Sequence, residues 1–165
     1  MLTAALGKII IGWLIADLMS GLFHKWQDGG RVEWPVIGPW LIAPSVLHHA
    51  KPLAFLEGSW ATRNLAAGML VLSIAGAWLA LLGPSIILAS ATVGGLLTTQ
   101  VHAWAHRPSA APRIVRVLQE IGILQSPKAH AGHHRPPHDG NYCALTNWLN
   151  PVLNDIGFWR LLSRR

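Results

Sequence analysis

LAAGMLVLSIAGAWLALL (Leu65 to Leu82), the pair Gly83-Pro84, and SIILASATVGGLLTTQV (Ser85 to Val101) decide how this chain folds. Neither apolar run carries a charged side chain, and each approaches the length of about 20 residues that spans a bilayer core. Gly and Pro together punctuate a turn. The stretch therefore reads as a helical hairpin of two transmembrane spans. A third span precedes it: Leu2 to Phe23 is interrupted only by Lys8 and Asp17. A signal peptide is the competing reading of that run, but its length and Asp17 within the apolar core argue for a membrane helix. Asp17, Ser20 or Gly21, and His24 recur at helical spacing, a polar stripe that should face the protein interior.

Composition agrees. Of 165 residues 52% are hydrophobic and only 12% charged, about half the charge of a soluble domain, and nine are Trp. The expected fold is all-α: an integral membrane helical bundle of about three transmembrane helices, with short interfacial helices and a cytoplasmic His-rich cap. By length, residues 1–165 form one domain. The net charge of +6 suggests anionic lipid headgroups and no nucleic acid. Cys143 is the one cysteine, so no internal disulfide forms, and its default reading is a buried thiol.

Between the spans, Lys25 to Asn64 is broken by Gly29, Gly30, Pro35, Gly38, Pro39, Pro44 and Pro52. Val36 to Ala43 is too short to span and is expected at the interface, with Trp34 and Trp40 around it. A short helix beginning near Pro44 or Ser45 carries His48 and His49. Beyond the hairpin, Arg113 to Leu124 reads as an amphipathic helix with Arg113, Arg116 and Glu120 on its wet side. The first span, the hairpin and the segment 102–165 then bring all nine histidines to one side of the membrane. All but Lys8 of the 13 Lys and Arg residues share that side. The positive-inside rule makes it cytoplasmic.

The histidines are placed in tight groups. SPKAHAGHHRPPHDGNYCALTNWLN (Ser126 to Asn150) holds His130, His133, His134 and His138. Positions i, i+3 and i+4 share a helix face, so His130, His133 and His134 are expected to aim at a single point. His102 and His106, at i and i+4, suit two ligands of one ion. Imidazole suits iron, copper, zinc and nickel, so these residues name a metal site without naming the metal. A zinc ion takes three or four protein ligands, so nine imidazoles are too many for one ion, and eight would serve two. Carboxylates and amides usually orient such ligands. The candidates are Asp17, Asp28, Gln100, Asp139 and Asn150. Arg107, Lys128 and Arg135 are candidates to steer a lipid headgroup.

The same residues carry a resemblance. Ala16-Asp17-Leu18 through Ser20-Gly21 and His24 to Asp28, the pair His48-His49, Gln100-x-His102-x-Trp104-x-His106, and the block from Ser126-Pro127 through His130, His133-His134, Pro137-His138, Asn141-Tyr142-Cys143, Thr146, Trp148 and Asn150 resemble the CarF and plasmanylethanolamine desaturase family. Phe158-Trp159-Arg160 extends the likeness, which runs in order from about residue 13 to 162. It departs at Lys25, which stands where the family usually has Trp, and at Ser163, near which the family has an acidic residue.

The resemblance implies a membrane lipid desaturase with a histidine-ligated di-iron centre, two iron ions per chain, molecular oxygen as co-substrate and a phospholipid substrate. It also implies an external electron donor of cytochrome b or ferredoxin type. Best-known members turn a plasmanyl lipid's alkyl ether into a plasmalogen vinyl ether, and plant relatives desaturate an acyl chain of phosphatidylglycerol. By position it gives the ligands as His24, His48, His49, His102, His106, His130, His133 and His134, and leaves the role of His138 open. The expected location is a bacterial inner membrane, or the endoplasmic reticulum in a eukaryote. The competing readings are hydroxylation of the lipid by the same centre, and a membrane protein that transports or stores metal. The latter needs a polar path through the bilayer, where Leu65 to Val101 offer only Ser, Thr and Gln.

Overall fold

The computed structural model describes residues 2–163, which are helical and contain no strand among them. Three helices are long and apolar enough to cross a membrane: α1 (Leu2–Asp28), α3 (Trp60–Leu82) and α4 (Ile86–His106). All three outrun the apolar stretches that announce them. Helix α1 continues past Phe23 to Asp28, and α4 past Val101 to His106, so the first turns beyond the apolar stretch carry His24, Asp28, His102 and His106. Ser59 and Ser85 cap α3 and α4 by accepting the Thr62 and Leu88 N–H groups. Gly83, at φ 76°, ends α3 in a conformation that glycine adopts without strain.

Helix α4 packs along both α1 and α3, while α1 and α3 scarcely touch. Small residues let α4 approach α1. A Cβ built on Gly12 would lie 2.4 Å from the Ile87 carbonyl oxygen, and one on Gly94 would lie 2.8 Å from Ala16 Cβ. In lipid, where no water drives apolar surfaces together, such close packing is what holds helices in contact. Ser90 donates across the same interface to the Ile9 carbonyl, at 2.7 Å. Because α3 leans on the other face of α4, near Gly95 and Val71, a long cleft opens between α1 and α3.

The short elements gather at one end of this bundle. A π-helical turn (Gly38–Ile42) leads into α2 (Ala43–Ala50), followed by α5 (Arg113–Glu120), α6 (Pro127–His133), α7 (Leu149–Asp155) and α8 (Phe158–Leu161). Helix α5 stops at Glu120, four residues before the amphipathic pattern ends, because Gly122 turns the chain at φ 78° and Leu124 N–H returns to the Leu118 carbonyl. Arg113, Arg116 and Glu120 are exposed as expected.

Asp17 ties the carboxyl-terminal segment to α1. Its side chain is fully buried; Oδ1 accepts the Leu145 and Thr146 N–H groups at 2.9 and 3.0 Å, and Oδ2 accepts the Thr146 hydroxyl. Asn150 brackets Cys143, accepting its N–H and donating to its carbonyl. Asp17 thus bonds backbone and the Thr146 hydroxyl, and Asn150 bonds backbone; neither bonds an imidazole, and the expectation that they orient histidines is corrected. Both are spent on holding a buried, irregular segment whose backbone groups would otherwise lack partners. Cys143 is the buried thiol expected, with burial pushing its pKa well above the usual range.

Candidate metal centre

Four elements deliver the histidines. His24 and Asp28 lie on the last turns of α1, His48 and His49 on α2, His102 and His106 on the last turn of α4, and His130 and His133 on α6, which His134 closes. Helix α6 is short but well specified: Pro127 occupies its first turn and Ser126 accepts the Ala129 N–H at 3.2 Å.

These side chains form two neighbouring groups, each with its donor atoms within 4.8 Å of one another. His48, His102, His106, His130 and His134 make the first; His24, Asp28, His49 and His133 make the second. All eight histidines that the resemblance implies are present, and Asp28 joins them as a potential donor. The single focus expected for α6 is corrected, because His130 and His134 point into the first group and His133 into the second. Helical geometry explains the division. Residues four apart share a face, so the pairs 24/28, 102/106 and 130/134 stay together. Adjacent residues do not face each other, which separates His48 from His49 and His133 from His134.

In the first group, the Nε2 atoms of His48, His102 and His106 form a triangle with edges of 3.0, 3.1 and 3.1 Å. His130 Nε2 is 2.6 Å from His106 Nε2 and 3.0 Å from His134 Nε2. A neutral imidazole has one N–H and one lone pair, so a nitrogen donates to one neighbour or accepts from it. Three nitrogens at mutual contact cannot all be satisfied that way. A cation among the lone pairs would satisfy them together. Outside the spanning helices, burial first, and neighbouring imidazoles next, lower the pKa of His48 to about 2 and of His134 to about 3, and hold His130 well below its usual value. These rings are neutral at pH 7, the form that binds metal.

The second group is held by its surroundings. His24 Nδ1 donates to the Tyr142 carbonyl at 3.3 Å and His133 Nδ1 to that of Gly140 at 3.0 Å, which leaves each Nε2 lone pair facing inward. His133 Nε2 is fully buried without a hydrogen bond and stands 3.4 Å from Asp28 Oδ2. Asp28 also faces His49 Nε2 at 2.8 Å and His24 Nε2 at 3.9 Å, and accepts the Ser45 hydroxyl at 2.7 Å. An orphaned buried nitrogen beside a carboxylate and two more imidazoles fits a divalent cation, and this nitrogen-rich donor set suits a transition metal.

His138 is close by, its ring 4.8 Å from that of His49, yet its Nδ1 bonds the His133 carbonyl and it belongs to neither group. Gln100 also lies outside both, its buried Oε1 unpaired. Asp139 is exposed, as are Arg107, Lys128 and Arg135. The Tyr142 and Gly140 carbonyls escape a reading of sequence because every residue carries the same group.

Two cavities meet the centre. The cleft between α1 and α3 encloses about 1170 Å³ and is lined by His24, His48 and His102 at one end and Trp78, Leu88 and Ala91 at the other. At 1.5 Å per residue, Leu88 and His102 are roughly 21 Å apart along α4, more than half of the ~30 Å hydrocarbon core. A smaller cavity of about 320 Å³ is lined by Lys25, Asp28, His49, His138 and Tyr142, with Lys25 Nζ donating to the Tyr142 hydroxyl at 3.2 Å.

A family model described as the lipid desaturase domain matches residues 13–165. Among curated proteins, Plasmanylethanolamine desaturase 1 of Mus musculus is 34% identical over 94% of this chain and 62% of its own length. Plasmanylethanolamine desaturase of Myxococcus xanthus is 29% identical over 96% of the chain and 59% of its own length. Fatty acid desaturase 4-like 1, chloroplastic, of Arabidopsis thaliana is 33% identical over 92% of the chain and 53% of its own length. The chain thus spans little more than half of these relatives. No solved structure matches it.

Proposed function

This chain belongs to the lipid desaturase family, and from that premise we propose that it is an oxygen-dependent membrane oxidoreductase that introduces a double bond near the glycerol end of a phospholipid chain. The favoured reaction converts a plasmanyl lipid to its vinyl ether. The observation that carries this reading is the apolar cleft, long enough for one leaflet's chain, that ends on His24, His48 and His102. A headgroup at that end leaves the first methylenes beside the imidazoles. The names of the mouse and Myxococcus relatives support the ether substrate. The Arabidopsis relative supports a second reading, desaturation of an acyl chain in the same cleft.

Two irons would be held by the eight histidines, with Asp28 completing the second group; His138 and Gln100 are not assigned as ligands. Bound there, the iron pair supplies the reduction of oxygen and the removal of hydrogen from an unactivated carbon. The methylene pair loses two hydrogens, and with dioxygen, two electrons from an outside donor and two protons, the balance is two waters. The chain's own residues do the rest. The cleft walls hold the tail straight and exclude water, His24 and His133 are fixed in one tautomer by backbone carbonyls, and Asp28 adds the negative charge that a nitrogen-only set lacks. The positive-inside count supports a cytoplasmic position for this end, on a bacterial inner membrane or the endoplasmic reticulum.

The test is to incubate iron-loaded protein in detergent with a 1-O-alkyl phospholipid, oxygen and a reducing system, and to weigh the product. Loss of two hydrogens with an acid-labile ether is expected. Gain of one oxygen would replace desaturation by hydroxylation. Zinc or copper at one ion per chain, without product, would sink the reading in favour of metal handling.

A further inference from the structure

Arg63 lines the long cleft, and it is the sole Lys, Arg, Asp or Glu side chain among the cleft's lining residues. It sits in the first turn of α3, at the end of the bundle that holds the histidines. An unpaired charge facing an apolar cavity is costly, and here no carboxylate among the described residues lies within ion-pair distance of it. Its Nη1 donates to the carbonyl oxygens of Leu56 and Gly58, while its Nε is buried without any partner. The guanidinium is therefore held in place by two backbone bonds with donor capacity left over.

Its position relative to the metal centre follows from the segment whose carbonyl it holds. Leu56, whose carbonyl it holds, follows Phe55, and the Phe55 ring lies 5.2 Å from that of His48 and 5.1 Å from that of His102. Arg63 is thus linked to the histidines at the cleft's end through two residues, Leu56 and Phe55. The three cations first considered for a headgroup, Arg107, Lys128 and Arg135, do not line the cleft.

We propose that Arg63 binds the phosphodiester of the lipid whose chain fills this cleft, and so sets which carbons reach the histidines. A guanidinium offers a planar fork matched to phosphate oxygens, and charge-assisted bonds of this kind are about twice as strong as neutral ones. With the phosphate fixed beside Phe55, the carbons next to the glycerol fall against His48 and His102 while the tail runs toward Trp78. This makes Arg63 a positioning and specificity residue, acting on the substrate and not on the metal. The inference rests on the desaturase reading for its substrate, and its test is a binding measurement that needs no turnover.

The test compares two fluorescent lipids with identical chains, a phospholipid and the matching neutral diglyceride, bound to full-length protein in detergent. Wild type should prefer the phospholipid. Arg63→Gln should weaken phospholipid binding about tenfold or more, as expected for a lost charge-assisted bond. Diglyceride binding and iron content should be unchanged, and Arg63→Lys should recover part of the loss. A variant that loses affinity for both lipids equally, as misfolding or a displaced Phe55 would cause, overturns the proposal. So does a wild type that shows no preference. Phosphate-dependent binding without any desaturated product would sink the desaturase reading and leave this inference standing.

Discussion

The two groups of histidines share α2 and α6 and differ in their third helix, α4 for one and α1 for the other, and they are held differently. In the group of five, the Nδ1 atoms of His48, His130 and His134 are buried without hydrogen-bond partners, so packing alone orients those rings. In the group of four, His24 and His133 are each pinned through Nδ1 to a backbone carbonyl, and Asp28 contributes a negative charge. The long apolar cleft is lined by His48 and His102 of one group and by His24 of the other, whereas the small cavity with Lys25 and Tyr142 is lined by Asp28 and His49 of the group of four. Pinned tautomers and a carboxylate favour tight metal binding. Neutral, unpinned imidazoles next to the substrate favour an ion whose surroundings adapt. On the proposed reading the group of four holds the tighter ion and the group of five the one whose surroundings adapt.

The largest effect should come from removing ligands group by group. His106→Ala with His130→Ala is expected to reduce iron from two ions per chain to one and to cut turnover by at least about a hundredfold, since desaturation requires the pair. His133→Ala is expected to reach the same end by losing the other ion. Elemental analysis checks both, and loss of both ions from either variant would show that the two groups bind as one cooperative unit. Next in size is Asp28→Asn, which keeps shape and removes charge. It should weaken retention of the tighter ion by about 10- to 100-fold, measured by chelator competition, while the ion in the group of five is unaffected. Release of both ions at one rate would erase the distinction between the groups.

How much of this was legible beforehand depends on what each residue's partner is. The three spans and the histidine pairs 102/106 and 130/134 were readable because apolar run length and the i, i+4 repeat are local properties of a helix, while the full set of eight histidines came from the family resemblance. The division into two groups was readable in principle too, since His48 with His49, and His133 with His134, are neighbours that cannot face one way. The expectation of one focus for His130, His133 and His134 treated i+3 and i+4 as equivalent, whereas His134, four residues on, stays with His130 and its neighbour His133 turns to the other group. Asp17 was read as a companion of His24 because it lies nearly two turns below it on the same polar stripe. Its partners are Leu145 and Thr146, distant in sequence, and nothing local announces them. Arg63 was equally silent, because its meaning comes from a cleft that exists only once α1 and α3 diverge.

Packing of α4 on α1 carries the frame to which both groups are attached, and it offers an effect that both should share. Gly12→Val would drive a branched side chain against the Ile87 carbonyl and Ser90. Overpacking of this kind costs about 1–3 kcal/mol, read as a lower Tm in detergent. His24 and His102 sit on the two helices displaced, so the two ions should be lost together as temperature rises. Loss of one ion well before the other would mean that the groups are supported by different parts of the fold.

The smallest effect concerns the acidity of the group of five. Burial and like neighbours lower the pKa of His48 to about 2 and of His134 to about 3 in the folded chain, against about 6.5 when unfolded. A base whose pKa falls on folding binds more protons in the unfolded state throughout that interval, so acid favours unfolding. The metal-free protein is then expected to be indifferent to pH above about 7 and to lose stability progressively as pH falls below about 6.5. A thermal-melt series on chelator-treated protein measures this, and replacing His134 with Asn should flatten the slope by removing one of the contributing rings. Added metal competes with those protons, so the loaded protein should hold its Tm to a lower pH before the curve bends. An apo melt curve that is flat between pH 7 and 5 would mean that water reaches the group of five more freely than its burial implies, and that its unpinned rings are not dehydrated.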